Sequence, residues 1–252
     1  RPPRSTLFPY TTLFRSGPLM FGSTVSVLNH EWWPGRPVQW VGLEFATSLF
    51  DLAEMEENLG KLTFPWGMTA LYITEAGHRW QYAEGEQLGL YPDFMQTGSK
   101  TSGGPGINPL VIVKHFVRML GEDEPWTTST ATLAGKEVRW TTSAKVTDAG
   151  QLAGGGLKLV LEKPQPQSYL VLLAGLGKPT GITCKGDAVP EVTEFTDAAP
   201  SGWVYVPDSS LLFVKVPPAE VAQTLEITAP LGRQDNQERI NRETRNRLPH
   251  LR

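Results

Sequence analysis

Two hydrophobic patterns divide the chain. The first half mixes continuous apolar runs with two helical repeats, and the second half is a series of short alternating segments between turn residues. Residues 24–28, TVSVL, alternate and are β-branched, which predicts a strand. A loop follows, because Pro34 lacks a donor and Gly35 punctuates the chain. Residues 38–45 predict a second strand. A helix is predicted over 51–62. Asp51 is its expected N-cap, with Glu54 three residues on at the capping-box position. Leu52, Met55, Leu59 and Leu62 repeat at helical spacing, while Glu54, Glu56, Glu57 and Lys61 face out. Gly60, or the pair Phe64 and Pro65, should end it. Residues 68–74 form a mostly apolar run, as expected of a strand buried on both faces, and it runs out at Thr74 and Glu75.

Between residues 76 and 108 the pattern predicts no helix. Residues 78–82 fit the return arm of a hairpin that turns at Ala76 and Gly77, and 87–95 fit a short strand. Residues 97–106, TGSKTSGGPG, read as a flexible loop. They lack the strand-loop-helix setting of a phosphate-cradling loop. Asn108 and Pro109 mark an N-cap and first helical position. Leu110, Val113, Val117 and Leu120 then share a face, and Gly121 closes the helix. His115 is expected on a partly exposed part of that helix, with no second ligand spaced to meet it. The charged, Pro-ended break at 122–125 is the expected domain boundary.

Beyond it, strands are predicted at 130–133, 137–146, 157–161, 169–173, 181–184, 203–206, 211–216 and 224–228. Turns fall at Ala134 and Gly135, at Gly154 to Gly156, at Lys185 to Asp187, and at Pro207 and Asp208. This is the pattern of an antiparallel β-sandwich.

Composition narrows the function classes. A formal charge of −3 over 252 residues leaves no basic footprint for nucleic acid and no polybasic patch for a membrane. The single cysteine, Cys184, excludes an internal disulfide and a thiolate metal cluster. It lies in GITCKGD, where it reads as a small, semi-buried residue of a hairpin. No metal and no cofactor is expected. Eight tryptophans is a high number for this length, and exposed Trp faces suit the axial C–H groups of sugar rings. Residues 6–16, TLFPYTTLFRS, match the in-frame translation of a common sequencing adapter. Residues 1–16 are therefore expected to be an artefact outside the fold, joined to a truncated reading frame. Residues 231–252 are polar and Arg-rich, and read as a solvated, poorly ordered tail.

Residues 37–77 carry a family resemblance. Gly42, Leu43 and Glu44 close one expected strand, and Ile73, Thr74 and Glu75 close the next, with helix 51–62 between. This stretch resembles part of the (β/α)8-barrel glycoside hydrolases of the large retaining clan, the xylanase-like family in particular. The resemblance implies that Glu75 is the nucleophile that attacks the anomeric carbon. It also implies an acid/base on an earlier strand, in an Asn-Glu pair that this sequence does not contain upstream. Glu44 and Asp93 are the in-chain candidates for the second carboxylate. Residues 202–217 resemble the β-sandwich that trails many such barrels.

A second resemblance is to the sugar-epimerase (mutarotase-like) sandwiches, in which residues 69–82 would be a hairpin and His30 or His78 would work with Glu75. Trp32, Trp33 and Trp80, with His30 and Glu44, are the expected substrate-binding residues in either case.

The expected fold is thus α/β plus all-β: 1–16 artefact, 17–121 the last part of a (β/α) catalytic domain, 122–230 an antiparallel β-sandwich, and 231–252 a tail. The alternative is mostly β throughout. The expected function is a fragment of a retaining glycoside hydrolase acting on an oligo- or polysaccharide, inactive as truncated. The alternative is a non-catalytic carbohydrate-binding or mutarotase-like β-protein. If residues 38–45 and 68–74 are adjacent parallel strands, the barrel reading stands.

Overall fold

The structure, a computed structural model, describes residues 24–25 and 36–231 except 61–63, 97–98, 102–103, 122–123, 125, 164–166, 196–197 and 208. The segment 6–16, His30, Trp32, Trp33 and the tail beyond Leu231 lie outside the described residues. The chain divides into two compact units, residues 1–125 and 126–252.

The first unit is built on helices. After the short antiparallel pair β1 (Thr24–Val25) and β2 (Pro37–Val38) comes α1, Gln39–Asn58. The second helix, α2, spans Trp66–His78. A hairpin of β3 (Phe94–Gln96) and β4 (Ser99–Thr101) follows, and then a 3-10 turn, Pro109–Ile112, leads into α3, Val113–Leu120. Both strands expected around Glu75 are therefore corrected: residues 39–45 and 68–74 are helical. Residues 78–82 do not form a hairpin arm either, since His78 ends α2. No (β/α) barrel segment exists among the described residues.

The physical reason lies in the small residues. A short apolar run suits a buried strand or a buried helix equally. Here Gly42, Leu43, Ala46 and Leu49 recur every three or four residues and form the buried stripe of α1. Ala70, Ile73 and Gly77 do the same on α2. Ala46, Leu49, Ala70 and Ile73 make one apolar cluster, against which Phe50 and Trp66 pack. Asp51 is not an N-cap but an interior residue of α1. Its carboxylate accepts from Arg118 Nε at 3.0 Å, and Glu54 accepts from Arg118 Nη2 at 2.6 Å. The pair spaced like a capping box thus clamps α3 to α1.

The start of the last helix matches its sequence signals. The Asn108 side chain accepts from the Leu110 N–H at 2.9 Å, Pro109 follows, and the Gly121 N–H closes the helix on Val117. The buried face differs from the expected one. Leu110 and Val117 are about half exposed, and Ile112, His115 and Phe116 face the core instead. Phe116 lies one turn after Ile112, so these two and His115 share the buried face.

The second unit holds two five-stranded antiparallel sheets among the described residues. Its strands are β5 (Thr127–Leu133), β6 (Lys136–Thr142), β7 (Lys145–Gln151), β8 (Leu157–Glu162), β9 (Tyr169–Ala174), β10 (Gly181–Cys184), β11 (Asp187–Ala188), β12 (Gly202–Val206), β13 (Leu211–Val216) and β14 (Gln223–Thr228). One sheet runs β11-β10-β14-β8-β7, the other β12-β13-β9-β6-β5. Alternate residues of both face a single core: Leu157, Leu159, Leu161, Leu225 and Ile227 from the first, Val138, Trp140, Val171, Leu173 and Val214 from the second. The expected β-sandwich pattern and the mostly-β alternative describe this architecture.

Two-residue turns set the hairpin registers. Ala134 and Gly135 join β5 to β6, and Lys185 and Gly186 join β10 to β11, all four with positive φ. That is the turn whose twist matches its strands, and glycine adopts it at no steric cost. The strand expected over 137–146 is two strands in different sheets. The chain crosses at Ser143 and Ala144, where the Ala144 N–H donates to Thr142 Oγ1 at 3.2 Å. The edge strand β7 is largely exposed, carries Lys145, Asp148 and Gln151, and is bulged between Val146 and Asp148, three features that discourage edge-to-edge pairing.

Candidate functional site

Glu75 is on α2, not at a strand end. It is 6% exposed, and its Oε1 lies 3.9 Å from Arg79 Nε one turn on. The carboxylate is thus held beside its own helical neighbour. His78, three residues later, shares its side of the helix. The Glu75 and His78 pair expected of a mutarotase-like site is therefore brought together, but within a helical core.

That core contains a polar cluster that the sequence hides. His78 Nδ1 lies 2.8 Å from Tyr91 Oη, and both residues are buried. The His115 ring, contributed by α3, is 5.4 Å from the His78 ring between centroids. Phe116 stacks on His78 at 5.9 Å with 12° between planes, and meets His115 edge-on. Burial pushes the Tyr91 phenol far up. Burial pushes the His115 imidazole down to about 3, with only the Leu43 carbonyl favouring the charged ring. That contact falls short of a hydrogen bond, since neither ring nitrogen of His115 has a partner of acceptable geometry. His115 is thus a neutral ring in an apolar setting, corrected from the partly exposed position its spacing predicts.

The other expected residues scatter. Glu44 sits on α1, half-buried, and burial raises its carboxyl above the usual range while Lys114 opposes the rise. Trp80 is buried just past the end of α2, so its ring face is not a platform for a sugar. Asp93 is buried, and its carbonyl accepts from Trp40 Nε1 at 3.3 Å. Among the described residues no group of three His, Cys, Asp or Glu is placed to hold a metal ion, and no helix is long and apolar enough to cross a membrane.

A cavity of about 230 Å³ opens in the second unit, at one end of the sandwich. The β10–β11 hairpin supplies Cys184, Lys185, Asp187 and Ala188; Ser201, Pro217, Pro218 and Gln223 complete its wall with Val189. Gln223 organises it. Its Oε1 accepts from Cys184 Sγ at 3.3 Å, and its Nε2 donates to the Pro217 carbonyl at 2.8 Å. These bonds tie three distant segments together. Cys184 itself is buried, and burial pushes its thiol up, with Lys185 opposing and Asp187 adding, so it is a poor nucleophile. Lys185, Asp187 and Ser201 are the polar groups that line the space, and the two prolines give it an apolar side. Sequence reasoning missed this site because it unites residues up to 39 positions apart. Only the hairpin signal around Cys184 pointed to any part of it. Compared with protein-family models, with curated proteins and with solved structures, the chain matches none.

Proposed function

We propose that the chain is a non-catalytic carbohydrate-binding protein, with its ligand site in the cavity at the end of the sandwich. The observation that carries the reading is the lining. An ammonium, a carboxylate and a hydroxyl, on Lys185, Asp187 and Ser201, border one space with Pro217 and Pro218. Sugar hydroxyls are donors and acceptors at once, so they suit a mixed set of this kind, and the C–H face of a ring packs on proline. The volume is below the roughly 300–1,000 Å³ of sites that enclose drug-sized ligands. It suits the end of a saccharide rather than a long chain. Hydrolysis by Glu75 is set aside, because the strand end that its family resemblance required is a helix.

Calorimetric titration of the full chain with a panel of mono- and oligosaccharides tests this. Saturable binding is expected with a dissociation constant of about 1 mM or tighter. Asp187→Ala should weaken it about tenfold, the loss of one charged hydrogen bond. No reducing ends should be released. Absence of binding across the panel, or hydrolysis that Glu75→Gln abolishes, would overturn the proposal.

A further inference from the structure

We propose that the paired imidazoles of His78 and His115 are an acid-sensitive latch, which holds α3 on α1 and α2 at neutral pH and releases it as the medium turns acid. This is independent of the carbohydrate reading. His115 is 0% exposed, and its ring meets the rings of His78 and Phe116 rather than water. A proton on His115 would put an imidazolium charge in that apolar space with only the Leu43 carbonyl to favour it. A second proton on His78 would add a like charge with ring centroids 5.4 Å apart.

The surrounding charges offer little relief. On α1, Glu44 interacts with Lys114, and Asp51 and Glu54 are taken by Arg118. On α2, Glu75 Oε1 lies 3.9 Å from Arg79 Nε, and the carboxylate shares its side of the helix with His78, whereas His115 is on α3. The Tyr91 hydroxyl bonds His78, and burial keeps that phenol neutral. On α3 itself the charges are Lys114 and Arg118, and each faces a carboxylate of α1.

The sign follows directly. His115 in the folded chain holds its proton only near pH 3, against 6.5 for a free imidazole. A depressed folded value means that stability is fully present above pH 6.5 and is lost as the pH falls from there toward 3. At pH 5 the folding equilibrium of this unit should be about thirtyfold less favourable than at pH 8. The exposed Arg118 clamp, unlike the buried ring, responds to salt.

Two measurements on the full chain decide the matter. The first follows the histidine ring resonances by NMR in the folded protein. The His115 signal should stay unshifted from pH 8 to 5.5, and a midpoint near 6.5 would overturn the proposal. The second compares hydrogen-exchange protection of residues 39–120 at pH 8 and pH 5, corrected for intrinsic rates. Wild type should lose about thirtyfold, with the same loss in 0.5 M salt. In His115→Phe the loss should fall below about threefold, and an undiminished loss in that variant would also overturn the proposal. Should His115→Phe not fold, the wild-type resonance titration alone decides.

Discussion

At Gly77, α2 comes so near α1 that a Cβ atom would overlap Leu43 Cδ2 and lie 2.7 Å from its Cγ. Leu43 is fully buried, so it has nowhere to swing. Alanine at this position would gain about 1 kcal/mol of helix propensity. Overpacking a closed contact costs about 1–3 kcal/mol, and the clash reaches the branch point of Leu43 as well as its tip. The cost should win. Gly77→Ala is predicted to lower the stability of the first unit by about 1 kcal/mol in a denaturant titration, and a stabilised variant would contradict the close approach. The same residue shows why the sequence misled. In GMTALYITEAGH a glycine after an apolar run resembles the turn that follows a strand. Its actual role is to let two helices touch. His115 was hidden because the buried face of α3 is set by Ile112 and Phe116 rather than by the valine stripe.

Among elements, the strands of the second unit were legible and the helices of the first were largely not. Strands such as β8 alternate strictly, with Leu157, Leu159 and Leu161 buried and their neighbours half-buried. Turn pairs such as Lys185 and Gly186 fix where each strand stops. Periodicity of two is unambiguous in an antiparallel sheet with one face on the core. The break between β6 and β7 was not legible, because a Thr hydroxyl and no Gly or Pro marks the crossing. In the first unit the runs before and after residues 51–58 are apolar enough to suit either element, and only the spacing of small residues favoured helices. The core that these strands make has a measurable consequence. Leu159 is fully buried between the sheets, so Leu159→Ala should cost about 2–5 kcal/mol. Asp148→Ala on the exposed edge strand should change stability by less than about 0.5 kcal/mol. Equal effects in parallel denaturation curves would mean that the two sheets do not share the core described.

For the whole molecule, little of the candidate site could be read in advance. Composition excluded an internal disulfide framework, and that exclusion concerns the entire chain. The chemistry suggested by Glu75 depended on local strand geometry that is absent. The cavity depends on tertiary assembly, as Cys184, Ser201 and Gln223 meet only once β10, β11 and β14 are in place. On the proposals above, the sandwich binds the ligand and the buried histidines have a structural, pH-sensitive role. The central claim is that a saccharide binds at the sandwich end without being cleaved. Amide chemical-shift mapping of the full chain, titrated with the saccharides that bind in calorimetry, tests this most directly. Shifts are expected to concentrate at residues 184–188, 201 and 219–223, with the sugar recovered intact. Shifts centred instead on residues 70–82, or release of new reducing ends during the titration, would contradict that claim.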